Sequence, residues 1–295
     1  MDAVIETREL RKSYGKFEAV RGLSLNVPRG SVCAFLGQNG AGKSSTLRML
    51  LGMARPDSGS GHIFGLNIDD EKDSIRIRER AAFVAEDKRL YDYMTVGQMV
   101  RFTTAFFPKW RDDLERRLLE QFELPVDRKI RKLSKGMRTK LALLLGFARG
   151  CELLILDEPT EGLDPVAIEE VLQIIVSVAA EGTTVLFSSH QIAEVEQIAD
   201  HVLMINRGRL VFDAPLDQVK EQYRHIQAVF SNPVEERDFC IPGIEKASTE
   251  RHTVSILASH NVDGIVEHVR MMQANAVDVL PVSLKEIFLE KAKLR

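Results

Sequence analysis

Residues 37–44 read Gly-Gln-Asn-Gly-Ala-Gly-Lys-Ser, a G-x-x-x-x-G-K-[ST] run. An apolar segment, residues 32–36, precedes it, and residues of helical character, 45–51, follow it. Each residue type suits phosphate chemistry. Glycine lets the backbone turn sharply, so that successive N–H groups converge on phosphate oxygens. The helix that follows aims the positive end of its dipole at the same anion. A lysine at position 43 neutralises charge on the β- and γ-phosphates of a nucleotide, and the Ser44 hydroxyl is a hard oxygen ligand for Mg²⁺. The candidate nucleotide contacts are Gly37, Asn39, Gly40, Ala41, Gly42, Lys43, Ser44 and Ser45. The same pattern occurs in glycine-rich turns with an incidental lysine. A strand before it and a helix after it are the context that the chemistry requires.

Such a site needs an acidic partner at the end of a buried strand. Leu153-Leu154-Ile155-Leu156-Asp157-Glu158 supplies four apolar residues followed by two carboxylates. In open parallel sheets, ligands bind just beyond the carboxyl ends of the strands. Asp157 is the expected Mg²⁺ partner, directly or through water, and Glu158 the general base that polarises the attacking water. The plain alternative, two solvated carboxylates in a turn, is weak beside the phosphate loop. The two segments together identify a P-loop NTPase without saying which kind.

The elements that must position these groups follow from hydrophobic period. Residues 3–7, 23–27 and 32–36 read as strands, with Pro28-Arg29-Gly30 as a turn. Residues 57–61 read as a Gly/Ser turn before a strand at 62–64, and 81–85 as a further strand. From 87 to 150 the pattern is mostly helical, over 96–107, 114–122 and 137–149. Strands at 153–156, 184–188 and 201–206 then alternate with helices at 166–180 and 191–199, the mark of a parallel sheet covered on both faces. Past residue 220, strands at 226–230, 253–257 and 277–280 and helices at 264–273 and 283–293 read as a small α/β appendage.

Composition narrows the function class. With 40 basic and 43 acidic residues the net charge is −3, which argues against nucleic acid as partner. The run Arg76-Ile77-Arg78-Glu79-Arg80 reads as a solvated helix face. Cys33, Cys151 and Cys240 are too scattered for a zinc site or disulfide framework and read as buried small hydrophobes in a reducing compartment. The polar first ten residues lack the apolar core of a secretion signal. The apolar runs 141–148, 153–156 and 171–180 fall short of the roughly 18–20 residues that span a bilayer. If the protein works at a membrane, another chain is expected to cross it.

Three further segments, in order with the first two, resemble those of ATP-binding cassette (ABC) ATPases. Leu133-Ser134-Lys135-Gly136-Met137, at a helix start, is similar to the L-S-G-G-Q signature, although alone it reads as an ordinary Ser cap. Glu161-Gly162-Leu163-Asp164-Pro165 follows Glu158 as the family's D-loop does, and His190 stands at the place of its switch histidine. Lys12-Ser13-Tyr14-Gly15 looks like the segment whose aromatic residue stacks on adenine, the alternative being a half-buried tyrosine at a strand end. The resemblance covers residues 4–213.

That resemblance implies an α/β fold: a P-loop NTPase with a RecA-like core, an N-terminal antiparallel β subdomain and a helical insert at about 87–150. The cassette would occupy residues 1–220, and a small C-terminal α/β accessory domain residues 221–295. It implies ATP and Mg²⁺ as ligands, the metal on Ser44, Asp157 and Glu86. It implies catalytic roles for Glu158, His190 and Glu86, and nucleotide contacts from Tyr14, Ser134, Gly136 and Asp164. The partners implied are a second ABC ATPase subunit, identical or not, and a membrane permease at the cytoplasmic face. Each ATP would lie between the phosphate loop of one subunit and the signature of the other. Tyr91-Asp92-Tyr93-Met94-Thr95-Val96 is expected to help receive the permease's cytoplasmic helix, or else to pack locally. The tail resembles the extensions of bacterial drug- and peptide-exporter subunits, so the direction implied is export. A regulatory switch, or a soluble ABC ATPase without a transport role, is the competing reading. Two departures stand out: Glu86 replaces the usual Gln, and Lys135 and Met137 replace Gly and Gln of the signature.

Overall fold

The computed structural model describes residues 2–293. The chain divides into two compact units, Met1–Asp213 and Ala214–Arg295, a little before the boundary at 220 expected from the sequence.

The first unit opens with an antiparallel sheet. β1 (Ala3–Tyr14) pairs through its second half with β2 (Phe17–Leu23) and through its first with β3 (Asn26–Pro28). The single strand expected at 23–27 is therefore two. The buried Thr7 side chain fills the break: its hydroxyl donates to Leu23 O and accepts from Leu25 N–H, both at 3.0 Å. β4 (Val32–Leu36), buried throughout, leads into the phosphate loop and α1 (Lys43–Leu50). β5 (Ser58–Ile63) and β6 (Leu66–Asn67) complete the first sheet in the order β2-β1-β5-β6, with β3 also on β1. The turn expected at 57–61 is thus largely strand. Its Ser-Gly-Ser-Gly run has little strand preference, but β1 imposes the pairing, with Thr7 opposite Gly61 and Arg8 opposite Ser60. Gly59 has φ 89°, and a Cβ there would stand 2.3 Å from Glu9 O, so only glycine lets the two strands approach.

α2 (Glu71–Arg80) carries the charged run, with Ser74 and Ile77 turned inward, and runs into β7 (Ala81–Val84). The insert is α3 (Val96–Thr104), α4 (Asp112–Gln121) and α5 (Lys135–Phe147). Thr95 and Gln98 form a capping box on α3, and Ser134 caps α5. β8 (Leu153–Asp157), α6 (Pro165–Ala180), β9 (Thr184–Ser189), α7 (Ile192–Ile198), β10 (His201–Asn206) and β11 (Arg209–Pro215) follow. The second sheet has the order β11-β10-β4-β9-β8-β7, with parallel pairing from β10 through β7. β4, β8 and β9 are buried at every position, which is why β4 and β8 read as nearly unbroken apolar runs. One core joins the two sheets: Ile5, Leu10 and Leu23 of the first pack in one cluster with Phe35, Ile155 and Leu203 of the second. β11, half-exposed and carrying only the short apolar run Leu210-Val211-Phe212, is not foreseen from the sequence.

In the second unit, α8 (Leu216–Gln222) precedes β12 (Arg224–Val229), β13 (Ile244–Glu250), β14 (Thr253–Ala258), α9 (Val262–Met271), β15 (Ala276–Pro281) and α10 (Leu284–Lys293). The sheet is antiparallel in the order β13-β14-β12-β15. Ile226 and Ala228 with Val254, Ile256 and Ala258 share a core with Ile265 and Val269 of α9. Among the described residues no helix is long and apolar enough to cross a membrane. Cys33 is buried and Cys151 partly so, but Cys240 is exposed, which corrects the reading of all three as buried hydrophobes.

Candidate functional site

The carboxyl ends of β4, β8 and β9 open on one edge of the six-stranded sheet and deliver the phosphate loop, Asp157-Glu158 and His190 to that edge. Gly42, at φ 109°, caps α1, and a Cβ on it would lie 2.5 Å from Ala19 O. Gly37 is as tightly held, with Ile205 O 2.7 Å from where its Cβ would be. Lys43 is buried on the first turn of α1, where its ammonium donates to Gly37 O at 2.7 Å. Gln38, Asn39, Gly40, Lys43, Ser44, Glu86 and Glu158 line one cavity of about 290 Å³.

Glu158 is the hub. It is buried and its φ is 47°, in the left-handed region that a side chain rarely adopts. Its N–H donates to Ser188 Oγ at 3.0 Å, and its carbonyl accepts from Lys88 Nζ at 3.0 Å. Its Oε2 lies 2.9 Å from His190 Nδ1. Its Oε1 lies 3.2 Å from Lys43 Nζ, an ion-pair distance without hydrogen-bond alignment, and so has no hydrogen-bond partner. Strained residues held from several sides are typical of functional centres. Asp157 faces Ser188 in the β8–β9 register, and Ser188 Oγ donates to Asp157 Oδ1 at 2.6 Å. One hydroxyl therefore serves both acidic residues.

Glu86 stands just past β7. Partial burial pushes its carboxyl above the usual range, and Asp157, Glu161 and Glu158 push it the same way, while Lys88 opposes them. Glu86 shares a second cavity, of about 430 Å³, with Asp157, Lys88, Glu161, Lys135 and Arg138 among others. Among the described residues no three His, Cys, Asp or Glu side chains gather as a metal site on their own. The donors on hand, the Ser44 hydroxyl and the Asp157 and Glu86 carboxylates, are hard oxygens and few. That fits Mg²⁺, which keeps waters and takes substrate phosphates as ligands.

The remaining candidates lie elsewhere. Ser134 caps α5 by accepting from Met137 N–H at 3.2 Å, and Gly136 lies against the 161–164 segment, Gly162 O being 3.3 Å from where a Cβ would sit. Lys135 Nζ donates to Glu161 Oε1 at 2.7 Å, so the extra charge in the signature is paired with Glu161 while its side chain stays exposed. Asp164 caps α6, accepting from Val166 and Ala167 N–H at 3.1 and 3.0 Å, bonds that hold its carboxyl below the usual range. Tyr14 is exposed at the end of β1, with Lys12 Nζ 5.8 Å from its ring centre. Ser134, Gly136, Asp164 and Tyr14 line neither cavity.

Three residues with evident work here are absent from the sequence reading: Lys88, Ser188 and Glu194. Ser188 had a signal, a hydroxyl directly after the apolar run Val185-Leu186-Phe187 in a strand that ends beside the site. Glu194 is buried on α7, where Ser189 Oγ donates to its Oε2 at 2.9 Å. Burial pushes its carboxyl up, while bonds from Thr160 and Ser189 pull it down.

A family model described as ABC transporter matches residues 20–161. The bacitracin transport ATP-binding protein BcrA of Bacillus licheniformis is 37% identical over 227 residues, covering 76% of this chain and 74% of that protein. The ABC transporter ATP-binding protein YtrB of Bacillus subtilis is 29% identical over 291 residues, 98% of each chain. Among solved structures, an ATP-binding subunit of an ABC transporter superposes with TM-score 0.67 at 28% identity, covering 74% of this chain and 92% of that one. The phosphate loop, the buried acidic pair and the histidine beside it thus belong to a chain whose sequence and fold both match one family. The protein belongs to the ABC transporter ATP-binding family, whose members bind and hydrolyse ATP to drive transport.

Proposed function

We propose that this chain hydrolyses Mg²⁺–ATP to energise export through a separate membrane permease, working at the cytoplasmic face as one half of a pair of cassettes. The observation that carries the reading is the convergence of Lys43, His190, Ser188 and Lys88 on the strained, buried Glu158. In the reaction, water attacks the γ-phosphorus, Glu158 accepts its proton, and the bond to the bridging oxygen breaks to release ADP and phosphate. Lys43 offsets the phosphate charge from inside the loop. His190 keeps the Glu158 carboxylate in one orientation. Ser44, Asp157 and Glu86 are the residues that would hold Mg²⁺, whose chemistry is to neutralise charge between the β- and γ-phosphates.

Ser134 and Gly136 lie off the chain's own cavities, at the start of α5 with its positive dipole. That placement supports their use on the nucleotide of a second cassette, as a head-to-tail pair requires. For the permease, Tyr91, Tyr93, Phe102 and Phe106 form a connected, exposed aromatic surface with ring centres 5.2–5.8 Å apart. Beside it lies a cavity of about 300 Å³ lined by Leu90, Met99, Thr103 and Phe107 among others. An apolar helix of the permease fits that surface. Likeness to a bacitracin transport protein supports export of a peptide or drug-like cargo.

The test is Glu158→Gln, measured in the full chain. Nucleotide binding should persist while turnover falls about 10²-fold or more. Unchanged turnover would sink the assignment of the base. Failure to copurify with membranes that contain the permease would sink the transport role.

A further inference from the structure

Lys88 is a buried cation of the site to which the reaction above gives no role. It is 9% exposed, which is unusual for a lysine unless the group has work to do. Its backbone has φ 39°, so the chain accepts a left-handed conformation to send this side chain inward. Its ammonium donates to the backbone carbonyl of Glu158 at 3.0 Å. Two left-handed residues, far apart in sequence, are thus tied by one hydrogen bond. Glu158 is thus held at both ends of its backbone, the carbonyl by Lys88 and the N–H by Ser188. Lys88 also lines the cavity that contains Glu86, Asp157 and Glu161, and those three carboxylates all act on its charge.

We infer that Lys88 is a positioning residue for hydrolysis: it holds the carbonyl of Glu158 as Ser188 holds its N–H, and it offsets the extra negative charge of Glu86. The inference rests on the reading of Glu158 as the base. With the clamp in place the carboxylate is aimed before substrate arrives, and a carboxylate at position 86 is tolerated beside Asp157 because a cation is buried among them. Without Lys88 the Glu158 peptide is free to leave its left-handed conformation, and Glu86 repels Asp157 and Glu158 uncompensated.

The experiment measures steady-state ATP hydrolysis and nucleotide affinity of the full chain for Lys88→Met, Lys88→Arg, Glu86→Gln and the Glu86→Gln/Lys88→Met pair, with thermal midpoints throughout. Misplacing a reacting group by 1 Å costs on the order of 10²-fold, so Lys88→Met should lower kcat about ten- to a hundredfold with KM for ATP changed less than about threefold. Lys88→Arg, which keeps charge and donor, should recover a large part of the rate. In the Glu86→Gln background the further loss from Lys88→Met should be several-fold smaller, because the charge to be offset is gone. A Lys88→Met enzyme with kcat within twofold of the parent overturns the proposal. So does equal loss in Lys88→Met and Lys88→Arg that follows the thermal midpoint, or a rise in KM with kcat unchanged. If Lys88→Met does not fold, Lys88→Gln, which keeps a donor without charge, is read in its place by the same criteria. Glu158→Gln run alongside separates the two readings: if it still hydrolyses ATP the base assignment fails, whatever Lys88 does.

Discussion

Asp157 and Ser188 stand opposite each other in the parallel pairing of β8 with β9, and the serine hydroxyl donates to the aspartate at 2.6 Å while accepting the N–H of Glu158 at 3.0 Å. A single buried side chain therefore holds both acidic residues of the site. Replacing it with alanine leaves a buried N–H and a carboxylate oxygen without their partner, which costs about 1–3 kcal/mol. Ser188→Ala should lower the free energy of unfolding by that amount in urea titrations, and lower kcat for ATP more than KM.

Glu194 makes stability depend on pH. Its carboxyl is raised by burial, so the folded state holds the proton more tightly than the unfolded chain does. The sign follows: the associated stability is fully present below the unfolded value, near the ordinary 4.5, and is lost as pH rises through the higher folded value. Glu194→Gln, which keeps an acceptor for Ser189 without the charge, should raise the thermal midpoint at about pH 7.5 and give little or no gain at about pH 4. Equal midpoint differences at both ends of the range would contradict it.

Tyr93 is 69% exposed and Phe106 63% exposed, so neither supports the core. Tyr93→Ser and Phe106→Ser should change the unfolding free energy by less than about 0.5 kcal/mol. Coexpressed with the permease, the double variant should lose most of the membrane-bound fraction measured by flotation. Retention at the parental level would move the docking surface elsewhere.

Gly59 reports on the junction of β1 and β5. With φ 89° and Glu9 O only 2.3 Å from any added Cβ, Gly59→Ala should cost roughly 1–3 kcal/mol by backbone strain alone, with the clash in addition. Thermal denaturation reads the loss directly. Gly15, between β1 and β2, at φ 61° but with open space around it, should cost less when replaced.

Much of the site was legible because its chemistry is local. Gly37–Ser44 and Asp157-Glu158 are contiguous, and the apolar runs before them announce the strands that carry them. Strands buried on both faces, such as β4 and β8, leave a strong trace in sequence. Those formed mainly by pairing leave almost none. Residues 58–61 look like a turn until β1 supplies their hydrogen bonds, and Arg209–Pro215 carries only a three-residue apolar run, Leu210-Val211-Phe212, between charged residues. Lys135 shows the same divide within the site: sequence places it in the signature, but only the approach of residues 161–164 shows that its charge is spent on Glu161.

By itself the sequence determined the kind of chemistry, the family and the order of the elements that carry the phosphate loop and the acidic pair, since these depend on residue types at short spacing. Tertiary structure decided how the groups work together. Lys43, Lys88 and the Ser188–His190 strand end reach Glu158 from three separate segments, and no spacing along the chain encodes that meeting. The register of β8 against β9 sets one side of the clamp, and the left-handed turns at Lys88 and Glu158 set the other. The departure at Glu86, a puzzle of charge in the sequence, became in three dimensions a carboxylate sharing a cavity with a buried lysine.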